Sequence, residues 1–200
     1  MIKQIVFDVN GVLQGARRYK FLFLNNGLSY SANKEYFYKA VESVAHKEAN
    51  SGIFKTKEDT LEEMKKEYPG EEVKLEKVYL VKWENCFVLY PKMIRLIKQL
   101  SINYDLYILS NMSFTEKQYF TNNHIFPLFK GFVFSCDVGV QKPNIKIFQF
   151  LITEYNLKPE ETLFVDNAIS NIKVANKLGF KTVKSLPFGK SIKQIKHALK

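Results

Sequence analysis

The sequence has little of what would place it in a specialised class. Two cysteines, Cys86 and Cys136, in 200 residues cannot build a disulfide framework, and without CxxC spacing they suggest no zinc site. No apolar run approaches the length that crosses a bilayer. The first ten residues carry Lys3 and Asp8 and no long apolar segment, so no signal peptide is expected. The expected compartment is the cytoplasm, with no membrane partner. Three histidines, His46, His124 and His197, are scattered and read as non-catalytic. Acids are absent from Asn167 to Lys200, a stretch with eight lysines. No internal repeat or low-complexity segment is present.

What remains is the composition of a globular protein, 46% hydrophobic and 25% charged. The length allows one domain, or a core domain with an inserted subdomain. The net charge of +10 is uneven, because residues 31–84 hold 12 acids and 10 bases while the rest holds 8 and 20. A basic domain raises the question of a nucleic-acid surface. The lysines at 173, 177, 181 and 184 fall across a helix and a strand with no such signature beside them, so a solvated face is the reading and no nucleic-acid partner is expected. The same positive field would attract small anions. Nothing in the sequence indicates an oligomeric state.

The most informative stretch is Ile5-Val6-Phe7-Asp8-Val9-Asn10-Gly11-Val12-Leu13. Three apolar residues running into an acid read as a strand buried on both faces, with Asp8 at the carboxyl edge where open α/β sheets bind ligands. Asn-Gly between apolar runs is also a hairpin signal, which would make Asp8 a turn residue. Later strands weigh against the hairpin. Leu106-Tyr107-Ile108-Leu109 ends at Ser110-Asn111, Phe132-Val133-Phe134 follows, and Leu163-Phe164-Val165 ends at Asp166-Asn167. Lys181-Thr182-Val183 begins a fifth strand.

Helical patterns alternate with these strands. Pro91 leads one carrying Ile94, Ile97 and Leu100, and Ser113-Phe114-Thr115-Glu116 is a capping box opening the next. Lys142-Pro143 is expected to open a helix with Ile145, Phe148, Leu151, Ile152 and Tyr155. Another runs through Ile172, Ala175 and Leu178 to Gly179, and Ser191 is expected to cap the last. Strand–helix alternation predicts an α/β fold with a Rossmann-like parallel sheet. Cys136 reads as a strand-end core residue.

Residues 15–90 read differently. The aromatics of Gln14–Asn26 either line a ligand entrance or, as preferred, pack under a helix. A helix is expected from Asn33 as N-cap, with Phe37, Ala40, Val41, Val44 and Ala45 on one side and Gly52 as its stop. A second opens at Asp59-Thr60-Leu61-Glu62 and ends at Pro69-Gly70. Val73–Trp83 fits both alternation and helical spacing and is assigned helix. The expected organisation is an α/β core of 1–14 and 91–200 with an inserted α-helical cap subdomain, 15–90.

Asp8 with Asn10, Ser110 with Asn111, Lys142, and Asp166 with Asn167 thus converge on strand ends or loops. They form a kit for displacing a phosphoryl group. A carboxylate can act as a covalent nucleophile, but it repels a phosphate dianion, so a hard cation such as Mg²⁺ must neutralise both. Asp166 offers a second metal carboxylate. Lys142 offers a fixed positive charge and Ser110 a donor to phosphoryl oxygens.

Phe7-Asp8-Val9-Asn10-Gly11-Val12, Leu109-Ser110-Asn111, Lys142-Pro143 and Phe164-Val165-Asp166-Asn167, in that order, resemble the four motifs of the haloacid dehalogenase (HAD) superfamily. Gly139-Val140-Gln141-Lys142-Pro143 with Ile147-Phe148 is similar to a stretch of its phosphatases whose small helical cap lies between the first two motifs. The resemblance implies a hydrolase of a small phosphorylated metabolite, such as a sugar phosphate. Asp8 would form an aspartyl-phosphate. The Asn10 carbonyl and the Asp166 carboxylate would join Asp8 on Mg²⁺. Ser110, Asn111 and Lys142 would bind the phosphoryl group, the cap would select the substrate, and Asn167 and Asn171 would stand behind these residues.

Two positions depart from the family pattern. Its phosphatases carry an acid/base Asp where Asn10 stands, and losing such a group costs about 10²–10⁴ in rate. Asn167 replaces a common acid and softens the charge near the metal. Related dehalogenases also carry Asn there, but they show an aromatic at position 10. Asn10 is therefore an engineered trap, the mark of a phospho-ligand-binding or regulatory module, or a sign of leaving groups that depart unprotonated. Asn10-Gly11 is also prone to deamidation.

Overall fold

Strand β1 (Gln4–Phe7) carries Ile5, Val6 and Phe7, all fully buried. A strand apolar on both faces needs a covered position inside a sheet. In the computed structural model, which describes residues 1–16, 27, 29–80, 87–186 and 191–200, β1 is the centre of a five-stranded sheet.

Chain order continues with β2 (Gln14–Ala16) and the helices α1 (Tyr30–Glu42), α2 (Val44–Ala49), α3 (Lys57–Glu67) and α4 (Glu72–Tyr79). Then come β3 (Phe87–Leu89), α5 (Pro91–Leu100), β4 (Asp105–Ser110), α6 (Phe114–Thr121), β5 (Gly131–Phe134) and the single turn α7 (Ser135–Val138). The chain closes with α8 (Ile145–Glu154), β6 (Thr162–Asp166), α9 (Ile169–Lys177), β7 (Lys181–Lys184) and α10 (Ile192–Ala198).

The sheet order is β5-β4-β1-β6-β7, every pair parallel. The parallel pairing of β1 on both sides excludes the hairpin alternative for Asp8. Because the chain builds outward to β5 and then returns across β1 to β6, the carboxyl ends of β4, β1 and β6 form the switch point of the sheet.

Alternation along the strands sends Ile5, Phe7, Leu106, Ile108, Leu163 and Val165 to one face, under α5, α6 and α10. It sends Val6, Tyr107, Leu109, Val133 and Phe164 to the other, under α8 and α9. The edge strand β5 is closed by a side chain. The Tyr155 hydroxyl accepts from the Phe132 N–H and donates to its carbonyl, both at 3.0 Å, which blunts pairing with another chain.

Helices α1 to α4 pack on a cluster of their own, Ala40, Ala45, Leu61, Met64, Leu75 and Tyr79. β2 and β3, on either side of this unit, pair antiparallel. The end of α2 and the stretch after it rest on the segments beyond β4 and β5. Ser135 Oγ donates to the Asn50 carbonyl, Gln141 Nε2 donates to the Lys47 carbonyl and Ser51 Oγ, and Lys55 Nζ lies 3.9 Å above the Phe114 ring.

Several expected boundaries move. The first insert helix starts at Tyr30, where Ser29 rather than Asn33 is N-cap, and Ser43 ends it while capping α2. The next starts at Lys57, because the Thr56 side chain accepts from the Asp59 N–H. The ambiguous Val73–Trp83 stretch is helical over Glu72–Tyr79, and residues 81–86 lie outside the described ones, as do the aromatics of 17–26. Lys142-Pro143 does not open a helix: Asn144 caps α8, which begins at Ile145, and the Lys142–Pro143 peptide is cis. Ser191 precedes α10 but its hydroxyl bonds Leu186 N–H and Ser185 instead of capping. Cys136 lies in the turn α7, buried, its thiol pushed up to about 12, mainly by burial.

His46, in α2, is buried against Tyr79, and burial with the charges of Lys47 and Lys57 lowers its pKa to about 4. The unfolded chain therefore binds more protons between the ordinary value and that one. Stability present above pH 6.5 is lost as pH falls toward 4. Between pH 7.5 and 5 the His46 contribution is expected to fall by about 2 kcal/mol. Urea midpoints at both pH values check this, and His46→Gln should flatten the dependence.

Candidate active site

The loop after β1 presents Asp8, and the ends of β4 and β6 present Ser110 and Asp166, so three neighbouring strands bring these side chains together. Ser110, fully buried, donates from Oγ to Asp8 Oδ1 at 2.9 Å. Lys142 arrives from the loop between α7 and α8. Its Nζ lies 2.9 Å from Asp8 Oδ1 and 2.7 Å from Asp166 Oδ2, and it donates to the Leu109 carbonyl at 2.7 Å. One buried ammonium is thus shared by two carboxylates.

The asparagines hold this array. Asn111 donates from Nδ2 to the Lys142 carbonyl at 2.9 Å and accepts the Lys142 N–H on Oδ1 at 2.8 Å, so its amide grips the backbone that carries the ammonium. Asn171, one turn into α9, donates to both Asp166 oxygens at 3.1 and 3.0 Å, and the Ala168 N–H adds a third bond. Asn167 is exposed and packs on Gly11, where the backbone has φ +84° and an added Cβ would strike the Asn167 amide. The positive φ is what favours glycine there.

Burial pushes the Asp8 carboxyl above the ordinary carboxylate range, and the charge of Asp166 acts in the same direction against Lys142 and Ser110. Burial works against the Lys142 ammonium, but the two carboxylates outweigh it and hold its pKa above the usual lysine value.

Asn10 takes a different course. Gln14 Nε2 donates to Asn10 Oδ1 at 2.9 Å, and Asn10 Nδ2 points to Glu116 Oε1 at 3.4 Å. Gln14 and Glu116 are both buried, and neither was anticipated at the site. The capping box that marks Glu116 was legible; its second contact joins residues 106 apart in sequence.

The donor set suits a hard cation. Asp8 Oδ2 and the Asn10 main-chain carbonyl accept no hydrogen bond from the described residues, and both are oxygens. No cluster of three His, Cys, Asp or Glu side chains that could hold a metal occurs among the described residues. Two carboxylates, a carbonyl and water are ligands of the kind Mg²⁺ takes.

A buried carboxylate pair bridged by an ammonium thus lies at the switch point of a parallel sheet, where α/β proteins bind their ligands. The chain belongs to the haloacid dehalogenase-like hydrolases, whose family model matches residues 2–179. It is 30% identical over 202 aligned residues to D-ribitol-5-phosphate phosphatase of Bacteroides thetaiotaomicron, with 91% of each chain covered. It is also similar to a predicted HAD-like family hydrolase of Porphyromonas gingivalis, at 27% identity and TM-score 0.75, over 100% of this chain and 98% of that one. A HAD family enzyme of Bacteroides thetaiotaomicron, solved with magnesium and inorganic phosphate, shares the fold at 21% identity and TM-score 0.71, over 94% and 96%. No helix among the described residues is long and apolar enough to cross a membrane.

Replacing Lys142 by Met leaves two carboxylates facing each other in a buried site. The variant is expected to lose about 3–5 kcal/mol of stability at pH 7.5 in EDTA, the cost of breaking a buried pair. The loss should shrink as the pH is lowered, because burial already pushes Asp8 toward its protonated form. Urea denaturation at pH 7.5 and below measures it.

Proposed function

We propose that the chain is a Mg²⁺-dependent phosphatase of a small phosphorylated metabolite, with Asp8 as nucleophile. The observation that carries this reading is the single Lys142 ammonium held at 2.9 Å from Asp8 and 2.7 Å from Asp166. Mg²⁺ bound by the Asp8 and Asp166 carboxylates and the Asn10 carbonyl would neutralise charge shared by nucleophile and phosphate. The Asp8 carboxylate would then attack phosphorus while Lys142 and Ser110 bind phosphoryl oxygens as charge moves onto the leaving group. Asn111 keeps Lys142 in place, and Asn171 with the Ala168 N–H keeps Asp166 in place. Water releases phosphate from the aspartyl-phosphate.

In this reading residues 15–90 act as a cap over a core of 1–14 and 91–200. Phe54, Lys55 and Thr56 of the insert border Ser113 and Phe114 of the core. Similarity over nearly the full length to a phosphatase of ribitol phosphate supports a sugar or polyol phosphate as substrate class. Asn10 favours a second reading, a binding module that holds phosphorylated ligands without turnover.

Hydrolysis of p-nitrophenyl phosphate separates the two, since its leaving group needs little protonation. The expected result is turnover with Mg²⁺ that disappears with EDTA and falls at least about 100-fold in Asp8→Asn. Phosphate binding by calorimetry without turnover would establish the binding module instead.

A further inference from the structure

The Asn10-Gly11 pair carries a chemistry of its own, apart from phosphoryl transfer. In a free chain the nitrogen of a glycine readily attacks the side-chain carbon of a preceding asparagine, because no Cβ stands in its way. At position 10 that reaction would bond the Gly11 nitrogen to Asn10 Cγ, with loss of the Gly11 N–H proton. The bond from Cγ to Nδ2 would break, and Nδ2 would take up a proton and leave as ammonia. Water would then open the cyclic imide at either carbonyl, giving aspartate or isoaspartate. The net change is amide plus water to acid plus ammonia.

The fold holds the atoms this reaction needs. The Gly11 N–H, on the attacking nitrogen, donates to the Gln14 carbonyl at 2.8 Å. Asn10 Oδ1 accepts from Gln14 Nε2 at 2.9 Å, and Nδ2, the leaving group, points to Glu116 Oε1 at 3.4 Å. Gln14 thus grips both reaction partners, the nitrogen through its main chain and the amide through its side chain. It is itself fixed. It is 2% exposed, its N–H donates to the Val9 carbonyl at 3.1 Å, and it pairs with Leu89 of β3. The Leu13 carbonyl beside it accepts the Tyr90 N–H at 2.9 Å. Freeing the Gly11 nitrogen for attack costs its bond to Gln14, and turning the Asn10 amide costs a second.

We propose that Gln14 guards Asn10 against deamidation. Position 10 stays an amide while this turn is folded and becomes a modification site only when the turn opens. The inference does not depend on the phosphatase reading. It assigns turnover by the folded protein to the amide form, not to an aspartate acquired with age.

Peptide mapping of the full chain after incubation at pH 7.5 tests this. Trypsin releases Asn10 in peptide 4–17 and the second such pair, Asn26-Gly27, in a separate peptide. In urea the two asparagines are expected to deamidate at similar rates, since glycine follows both. In the folded chain Asn10 is expected to react at least about ten-fold more slowly than in urea. Gln14→Met keeps the bulk but loses the side-chain donor, and should speed the folded-state reaction about two- to ten-fold. Met64→Ala, in the separate core of the helical unit, should leave the Asn10 rate unchanged, which distinguishes a guard from general loss of stability. Equal Asn10 rates in the folded chain and in urea overturn the proposal. So does a Gln14→Met rate no faster than the parent's, or an equal gain in Met64→Ala.

Discussion

The site depends on the ammonium of Lys142. Two carboxylates and one lysine stripped of most of their water would be costly to hold together unless every partner were in place, and breaking such an array costs more than forming it gains. The surrounding structure supplies those partners. The Leu109 carbonyl and both carboxylates take the ammonium, Asn111 grips the lysine backbone, and Asn171 with the Ala168 N–H takes what remains of Asp166. Asp8 differs from Asp166 in having one oxygen that accepts no hydrogen bond from the described residues.

Sheet topology makes this convergence possible. β4, β1 and β6 are adjacent, so residues far apart in sequence leave the sheet side by side. The register matters as much as the order, because a slip of one residue in β1 would turn Asp8 to the opposite face. The contacts of the helical unit, from Lys47 to Lys55, fall on the segments after β4 and β5 that carry α6 and precede Lys142.

The asparagine at position 10 acquires meaning from its neighbours. Isolated in the sequence, it marks a missing acid. In the fold it is an amide held between Gln14 and the buried carboxylate of Glu116, and an acid there would bring two carboxylates together and force them to share a proton.

Local chemistry in the sequence determined the strands, because buried parallel strands are short apolar runs, and it determined that Asp8, Ser110 and Asp166 end them. It also determined the Ser113–Glu116 capping box, whose partners are three residues apart. Its local signals misplaced other ends. Proline after Lys142 suggested a helix start, but Asn144 caps that helix, and Ser29 and Thr56 outcompeted later candidates in the insert. The three-residue strands β2 and β3 were too short to show a period. Tertiary structure alone decided which polar ends meet: that Asn111 holds the Lys142 backbone, that Lys142 bridges two acids, and that the second oxygen of Glu116 faces Asn10. Periodicity and capping act over three or four residues along one chain segment, whereas these contacts are fixed by the packing of separate strands and helices.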